Sequence, residues 1–247
     1  MKHQNHFQHQ RGAALVVVLF ILSLILVIGV LAIRQSITSL QLSMNSQVDD
    51  LLRQGSDAVM LSLEKPDRLG EFSTSAGLLG FIRRPENQGK ELVFCFREGK
   101  KVFFDINTAS MIYKDGSTIK NSSLGMSGYC DPTSTTDNHF TSNRRAVLTQ
   151  VAIRRASATD TPFENFGTGT DAVSAKTDSN DRFTVYVTSV LPGLGAASMQ
   201  QIRGCLTGNM STVTNPTENT VSKCLEALEV PYSTQVAEYN YVTGFSS

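Results

Sequence analysis

The sequence predicts an α+β protein, with one long amino-terminal helix that spans a membrane in its first half and packs in its second half on a head built around an antiparallel β-sheet. Three observations predict it. A run of 21 uncharged residues extends from Ala13 to Ile33; an apolar stripe of helical period continues beyond it to about Glu64; and after Pro66 the chain changes to short β-branched and aromatic runs separated by polar segments. At 247 residues it is long enough for one good-sized domain plus an appendage, or for two small domains.

The first element is the span, residues 13–33. As a helix rising about 1.5 Å per residue it is roughly 31 Å long, matching a hydrocarbon core of about 30 Å. A secretory signal has a shorter apolar core of about 7 to 15 residues and a small-residue cleavage site, for which Val30-Leu31-Ala32 is a poor match. Lys2 and Arg11 precede the run and Arg34 follows it, so the positive-inside bias places the amino terminus in the cytoplasm and the body in the periplasm.

The helix does not stop at the membrane. In residues 34–64, Ile37, Leu40, Met44, Val48, Leu51, Leu52 and Val59 recur at steps of three, four or their multiples, with polar residues such as Gln41, Asn45, Asp50 and Arg53 between them. Lys65-Pro66 ends the pattern, because the residue before a proline disfavours the helical region. The 52 residues from Ala13 to Glu64 make a helix of roughly 78 Å, too long to bury itself in one small domain. Gly29 and Gly55 are its expected weak points, each costing about 1 kcal/mol relative to alanine.

The head, residues 65–247, reads as mixed. Leu92–Phe96 and Lys101–Ile106 are strand-like and joined by Arg97-Glu98-Gly99-Lys100, a hairpin signal. Ala146–Arg154 and Arg182–Val190 are further strands. Between Asn107 and Asp181, 22 of 75 residues are Ser or Thr, which predicts long polar connections, with Asp160–Asp181 an exposed loop. Asn215-Pro216-Thr217-Glu218 combines a cap, a first-turn proline and an acid, so a short helix is expected from there through Leu228. Met199, Ile202 and Leu206 mark another helical piece, and Tyr239–Phe245 alternates as an edge strand would.

Chemistry is sparse. The 22 basic and 22 acidic residues balance, and no Lys/Arg cluster longer than a dipeptide follows the leader, which argues against nucleic acid as a partner. His3, His6 and His9 lie in the first ten residues, leaving His139 alone for any histidine-dependent catalysis. Gly193-Leu194-Gly195 lacks the third glycine of a dinucleotide loop, and Gly125-Met126-Ser127-Gly128 is one residue short of a nucleophile elbow. Asp178, Asn180 and Asp181 lack the glycine and distal glutamate of a calcium loop. No catalytic residue, metal site or cofactor is therefore expected. Cys95, Cys130, Cys205 and Cys224 are spaced 35, 75 and 19 apart, without the Cys-x-x-Cys pair of zinc or thioredoxin-like sites. An even count in a periplasmic head favours disulfides, with three pairings open.

The segment QRGAALVVVLFILSLILVIGVLAIRQS, in which the apolar run starts directly behind Arg11-Gly12, resembles the class III leader and helix of type IV pilins and type II secretion pseudopilins, and within them the PilX-type minor pilins. The likeness covers Met1 to about Leu63. It implies a leader of residues 1–12 cut between Gly12 and Ala13 by a prepilin peptidase, N-methylation of Ala13, and the ladle shape of pilins. It implies as partners other minor pilins, the major pilin and an inner-membrane assembly platform. The protein would wait in the inner membrane with a periplasmic head and then enter an extracellular type IV pilus, with roles in priming assembly, adhesion and twitching motility. Cys205 with Cys224 and Cys95 with Cys130 is the pairing in which both loops are local, and it resembles the disulfide-closed carboxy-terminal region of many pilins.

One position departs from the family pattern. Most members carry a glutamate at the fifth position of the mature chain, where this sequence has Val17. A carboxylate in an apolar bundle is costly unless paired, and members without it, including the K-type pseudopilins, are associated with filament tips. The resemblance thus implies a tip-located or priming subunit. The alternatives are a K-type secretion pseudopilin and, from another class, a membrane-anchored periplasmic enzyme or sensor.

Overall fold

The structure, a computed structural model, describes residues 11–97, 102–142, 144–156, 180–213, 215 and 217–242. Helix α1 covers Arg11–Leu63. The chain divides into two units, one ending at Val48 and the other beginning at Asp49. In the first, α1 exposes its large apolar side chains, including Ile37, Leu40 and Met44 of the expected stripe. In the second, the end of α1 buries Leu52, Gly55, Ser56 and Val59, one face at the spacing of a helix. The stripe is therefore narrower than its apolar pattern: Leu51 stays 42% exposed, and a glycine and a serine take inward places.

Lys65, at φ −66° and ψ 118°, is extended as a pre-proline residue must be, and Pro66 opens α2 (Pro66–Ser73). Helix α3 (Leu78–Ile82) follows. The sheet contains β1 (Glu91–Phe96), β2 (Ser110–Asp115), β3 (Thr118–Lys120), β4 (Leu148–Arg155), β5 (Asn180–Val190) and β6 (Tyr232–Val242). Their order is β3-β2-β1-β4-β5-β6, every pair antiparallel. Helices α4 (Met199–Gly208) and α5 (Val221–Ala227) lie between β5 and β6 in the chain.

The sheet is buried on both faces. Leu92, Phe94, Val151, Ile153, Phe183, Val185 and Val187 pack with Val59 of α1, Phe72 of α2, and Leu78 and Ile82 of α3. The alternate residues Val93 and Ala152 join Ile112, Tyr129 and Met210. Leu148 and Val190 meet Ile202, Cys205 and Leu206 of α4 and Val221 and Leu225 of α5. The period of two sorts β4 cleanly, Val151 and Ile153 going to one cluster and Ala152 to another.

Where α1 meets the sheet, the seam is polar and close. Ser56 Oγ lies 2.8 Å from Ser189 Oγ, which is 3.1 Å from Thr149 Oγ1, itself 2.7 Å from Thr141 Oγ1. A Cβ on Gly55 would sit 3.0 Å from both Ser189 Oγ and Thr149 Oγ1 and 3.2 Å from Val147 Cγ1. The glycine expected as a weak point lets the helix lie close against the strands.

Several expectations are corrected. Lys101–Ile106 is not a second strand: Val102–Asp105 is irregular and Ile106–Thr108 forms a 3-10 turn capped by Asp105. A strand would send the adjacent Phe103 and Phe104 to opposite faces; both instead contact Phe94 edge-on at 5.4 Å, and Arg68 caps Phe103 at 5.2 Å. The partner of β1 is β2, in the register Leu92↔Met111, within a segment read as polar connection. Its own hairpin to β3 turns at Gly116, φ 60°. The hairpin turn read at Arg97–Lys100 lies, from Glu98 on, outside the described residues.

The carboxy-terminal helix begins at Val221, with Thr220 Oγ1 accepting from Lys223 N at 3.2 Å, later than the Asn215 cap predicts. Asn215 Oδ1 instead accepts from Thr217 N and Oγ1, a local turn that competes with helix. The strand expected from Arg182 starts at Asn180, inside the expected Asp160–Asp181 loop, of which residues 160–179 are outside the described residues. The edge strand expected over Tyr239–Phe245 begins at Tyr232.

The packing at Gly55 predicts that Gly55→Leu lowers stability by about 1 to 3 kcal/mol, the usual cost of overpacking. Thermal unfolding of the full-length protein in detergent measures it, and an unchanged midpoint would contradict the close seam.

Candidate functional site

The residues singled out on the amino-terminal helix lie in a segment that is apolar all round. From Leu15 to Ile33 every large apolar side chain is about half exposed or more, from 48% at Leu24 to 68% at Leu26, with Val17 at 56%. The helix is long and apolar enough to cross a membrane. Its backbone bonds are made internally, and Ser23 Oγ donates to Phe20 O at 2.8 Å, so its hydroxyl too is satisfied without water. Gly12 and Ala13 fall in the first turn of α1.

The cysteines join in the head. Cys95 of β1 bonds to Cys130 ahead of β4, and Cys205 of α4 bonds to Cys224 of α5, with Cα–Cα distances of 4.9 Å and 5.5 Å. Each closed loop constrains the unfolded chain by about 3 kcal/mol in the chain-entropy picture. Cys130, Cys205 and Cys224 all belong to the cluster beneath α4 and α5, so the two bridges tie β1 and both helices to one part of the core.

A polar pocket of about 160 Å³ adjoins the first bridge, lined by Arg97, Tyr129, Asp131, Asp137, His139 and Arg203 among others. Its charges answer one another. Arg203 Nε lies 3.2 Å from Asp131 Oδ2, and Asp131 Oδ1 accepts from the backbone and hydroxyl of Thr133. Burial pushes the Asp131 carboxyl up, but the Thr133 bonds, Arg203 and His139 together hold it below its usual range. Arg97 Nη2 lies 3.0 Å and 3.2 Å from the two ring nitrogens of buried His139. Burial lowers the Arg97 pKa while Asp137 opposes the shift. A guanidinium packed on the ring is a poor neighbour for a general base, and the arrangement serves to fasten residues 126–139 to β1 and α4. Among the described residues, no cluster of three or more His, Cys, Asp or Glu is placed to hold a metal ion.

Glu91, which the sequence did not mark, is fully buried at the start of β1. Its Oε2 accepts from Ser211 N at 2.8 Å and its Oε1 from Thr212 N at 3.1 Å, pinning the segment after α4 to the sheet. Burial pushes its carboxyl up to about 6, against the lowering effect of those backbone bonds and of Arg154. Only the isolated acid at the head of an apolar strand hinted at such a role.

No known protein family, curated protein or solved structure matches the chain.

Because the folded Glu91 binds its proton more tightly than the unfolded one, its contribution is fully present below pH 4.5 and is lost as pH rises through about 6. Stability should fall by about 2 kcal/mol across that window, and Glu91→Gln should flatten this part of the profile. Denaturant unfolding between pH 4 and 7 decides it; an identical slope in the variant would remove Glu91 as the cause.

Proposed function

We propose that the chain is a PilX-like minor pilin, non-enzymatic, that primes assembly of a type IV pilus and is incorporated at or near its tip. The observation that carries this reading is the junction at Gly12-Ala13, where an apolar run of full membrane length begins at once and continues as an unbroken helix to Leu63. A plain membrane anchor needs neither the abrupt junction nor the thirty residues of helix beyond the span. A disulfide-bonded head with an antiparallel sheet supports the same reading, since it suits an oxidising periplasm. In the pilin pattern, prepilin peptidase cuts after Gly12 and Ala13 is methylated.

Val17 supports a position at or near the filament tip. A subunit below others uses a glutamate there to hold a neighbour's terminal amine; a subunit with none above it has no such partner. An apolar side chain at Val17 then packs among apolar neighbours without an unpaired charge in lipid. The K-type pseudopilin alternative expects a large inserted domain in the head, whereas among the described residues from Asp49 onward the strands form one six-stranded sheet.

Deleting the gene should reduce surface pili sharply while major-pilin levels in the membrane stay near normal, because initiation is lost and supply is not. Gold-labelled antibody to the head should mark filament ends. Label spread evenly along the shafts would overturn the tip assignment.

A further inference from the structure

Strand β6 closes the sheet on one side with an edge eleven residues long, Tyr232–Val242. Its inner side pairs with β5 one-to-one from Val190↔Tyr232 to Asn180↔Val242, so no bulge turns the outer side away. In an antiparallel ladder alternate residues direct both N–H and C=O outward, and among the described residues no further strand takes those groups. Native sheets protect such edges with proline, lysine, bulges or shortness. The opposite edge, β3, obeys the rule at three residues. The sequence YSTQVAEYNYV has no proline, glycine, lysine or arginine, and Val236 at its middle is 56% exposed.

Acids predominate around this edge, with Arg182 of β5, opposite Asn240, as a base among them. Gln235 Nε2 donates to Asp57 Oδ1 at 2.9 Å, and Tyr239 Oη donates to Glu64 Oε1 at 3.3 Å, which sets two acids of α1 beside the strand. Burial and then the charge of Glu226 on α5 raise the Tyr232 pKa, and Glu238 is exposed on β6 itself, opposite Thr184 of β5. A second copy docking edge to edge would bring these four carboxylates toward their own kind, a like-charge arrangement that disfavours self-pairing.

We propose that the outer edge of β6 accepts an extended strand from a different polypeptide, one carrying Lys or Arg side chains, and so adds a seventh strand to the six-stranded sheet. Main-chain hydrogen bonds supply the affinity, and side chains at alternate positions, facing Val236 and Glu238, supply the selectivity. Strand addition needs only the head, so it stands whether or not the chain is a pilus subunit.

The test uses full-length protein in detergent and three synthetic eleven-residue peptides: alternating valine and lysine, alternating valine and glutamate, and a proline-interrupted version of the first with the same charge. The valine–lysine peptide should bind about tenfold tighter or more than the glutamate one and should slow amide exchange along β6, leaving β3 unchanged. The proline-interrupted peptide should not slow exchange. Glu238→Lys should shrink the preference for the lysine peptide. Equal affinity for the two charge types overturns the proposal, as do binding without slowed exchange in β6, absence of binding, and self-association through β6.

Discussion

The dominant constraint on this chain is a helix whose apolar surface exceeds what its own head can cover. From Leu15 to Ile33 the side chains are apolar on all sides and exposed, and each would gain about 1.5 to 3 kcal/mol from full removal from water. Hydrocarbon would relieve that deficit, and the segment is long and apolar enough to cross a membrane. The helical backbone bonds itself internally, so the segment enters hydrocarbon without unsatisfied peptide groups. The burial of Leu52, Ser56 and Val59 belongs to a different environment, in which the same helix packs on a folded sheet.

The head is organised to offer that packing surface. Its central strands, β1, β4 and β5, are covered on both faces, so their side chains alternate between two cores. Polar groups that enter the interior arrive with partners: the hydroxyls of Ser56, Ser189, Thr149 and Thr141 bond in a chain, and Glu91 is met by two backbone amides. Such placement fixes registry as much as it adds stability, because a shift of α1 along the sheet would break the contact between Ser56 and Ser189 and press Gly55 into side chains. The two disulfides then hold the region where β1, α4 and α5 converge.

Much of this was legible in the sequence, for specific reasons. Ala13–Ile33 is uncharged over a length that has few other uses, and Lys65-Pro66 stops a helix by sterics alone. Leu92–Phe96, Ala146–Arg154 and Arg182–Val190 stand out through β-branched density, and the observed strands fall within two residues of them. What failed were signals decided by tertiary partners. Val102-Phe103-Phe104 looks like strand but serves the aromatic cluster around Phe94. Ser110–Asp115 was hidden in a Ser/Thr-rich stretch although Asp115-Gly116 marks its turn. Asn215 spends its side chain on a local turn, leaving Thr220 to cap the helix. Glu91 and the pairing of Arg203 with Asp131 depend on residues far apart in the chain, which no local pattern encodes.

We propose that Gly12-Ala13 is a processing junction and that the helix behind it belongs to a pilus subunit. Intact-mass and amino-terminal analysis of the protein recovered from membranes of cells with active prepilin peptidase tests it most directly. A processed pilin begins at Ala13 and carries one added methyl group on its terminal amine. A chain that still begins at Met1 in those cells would contradict it.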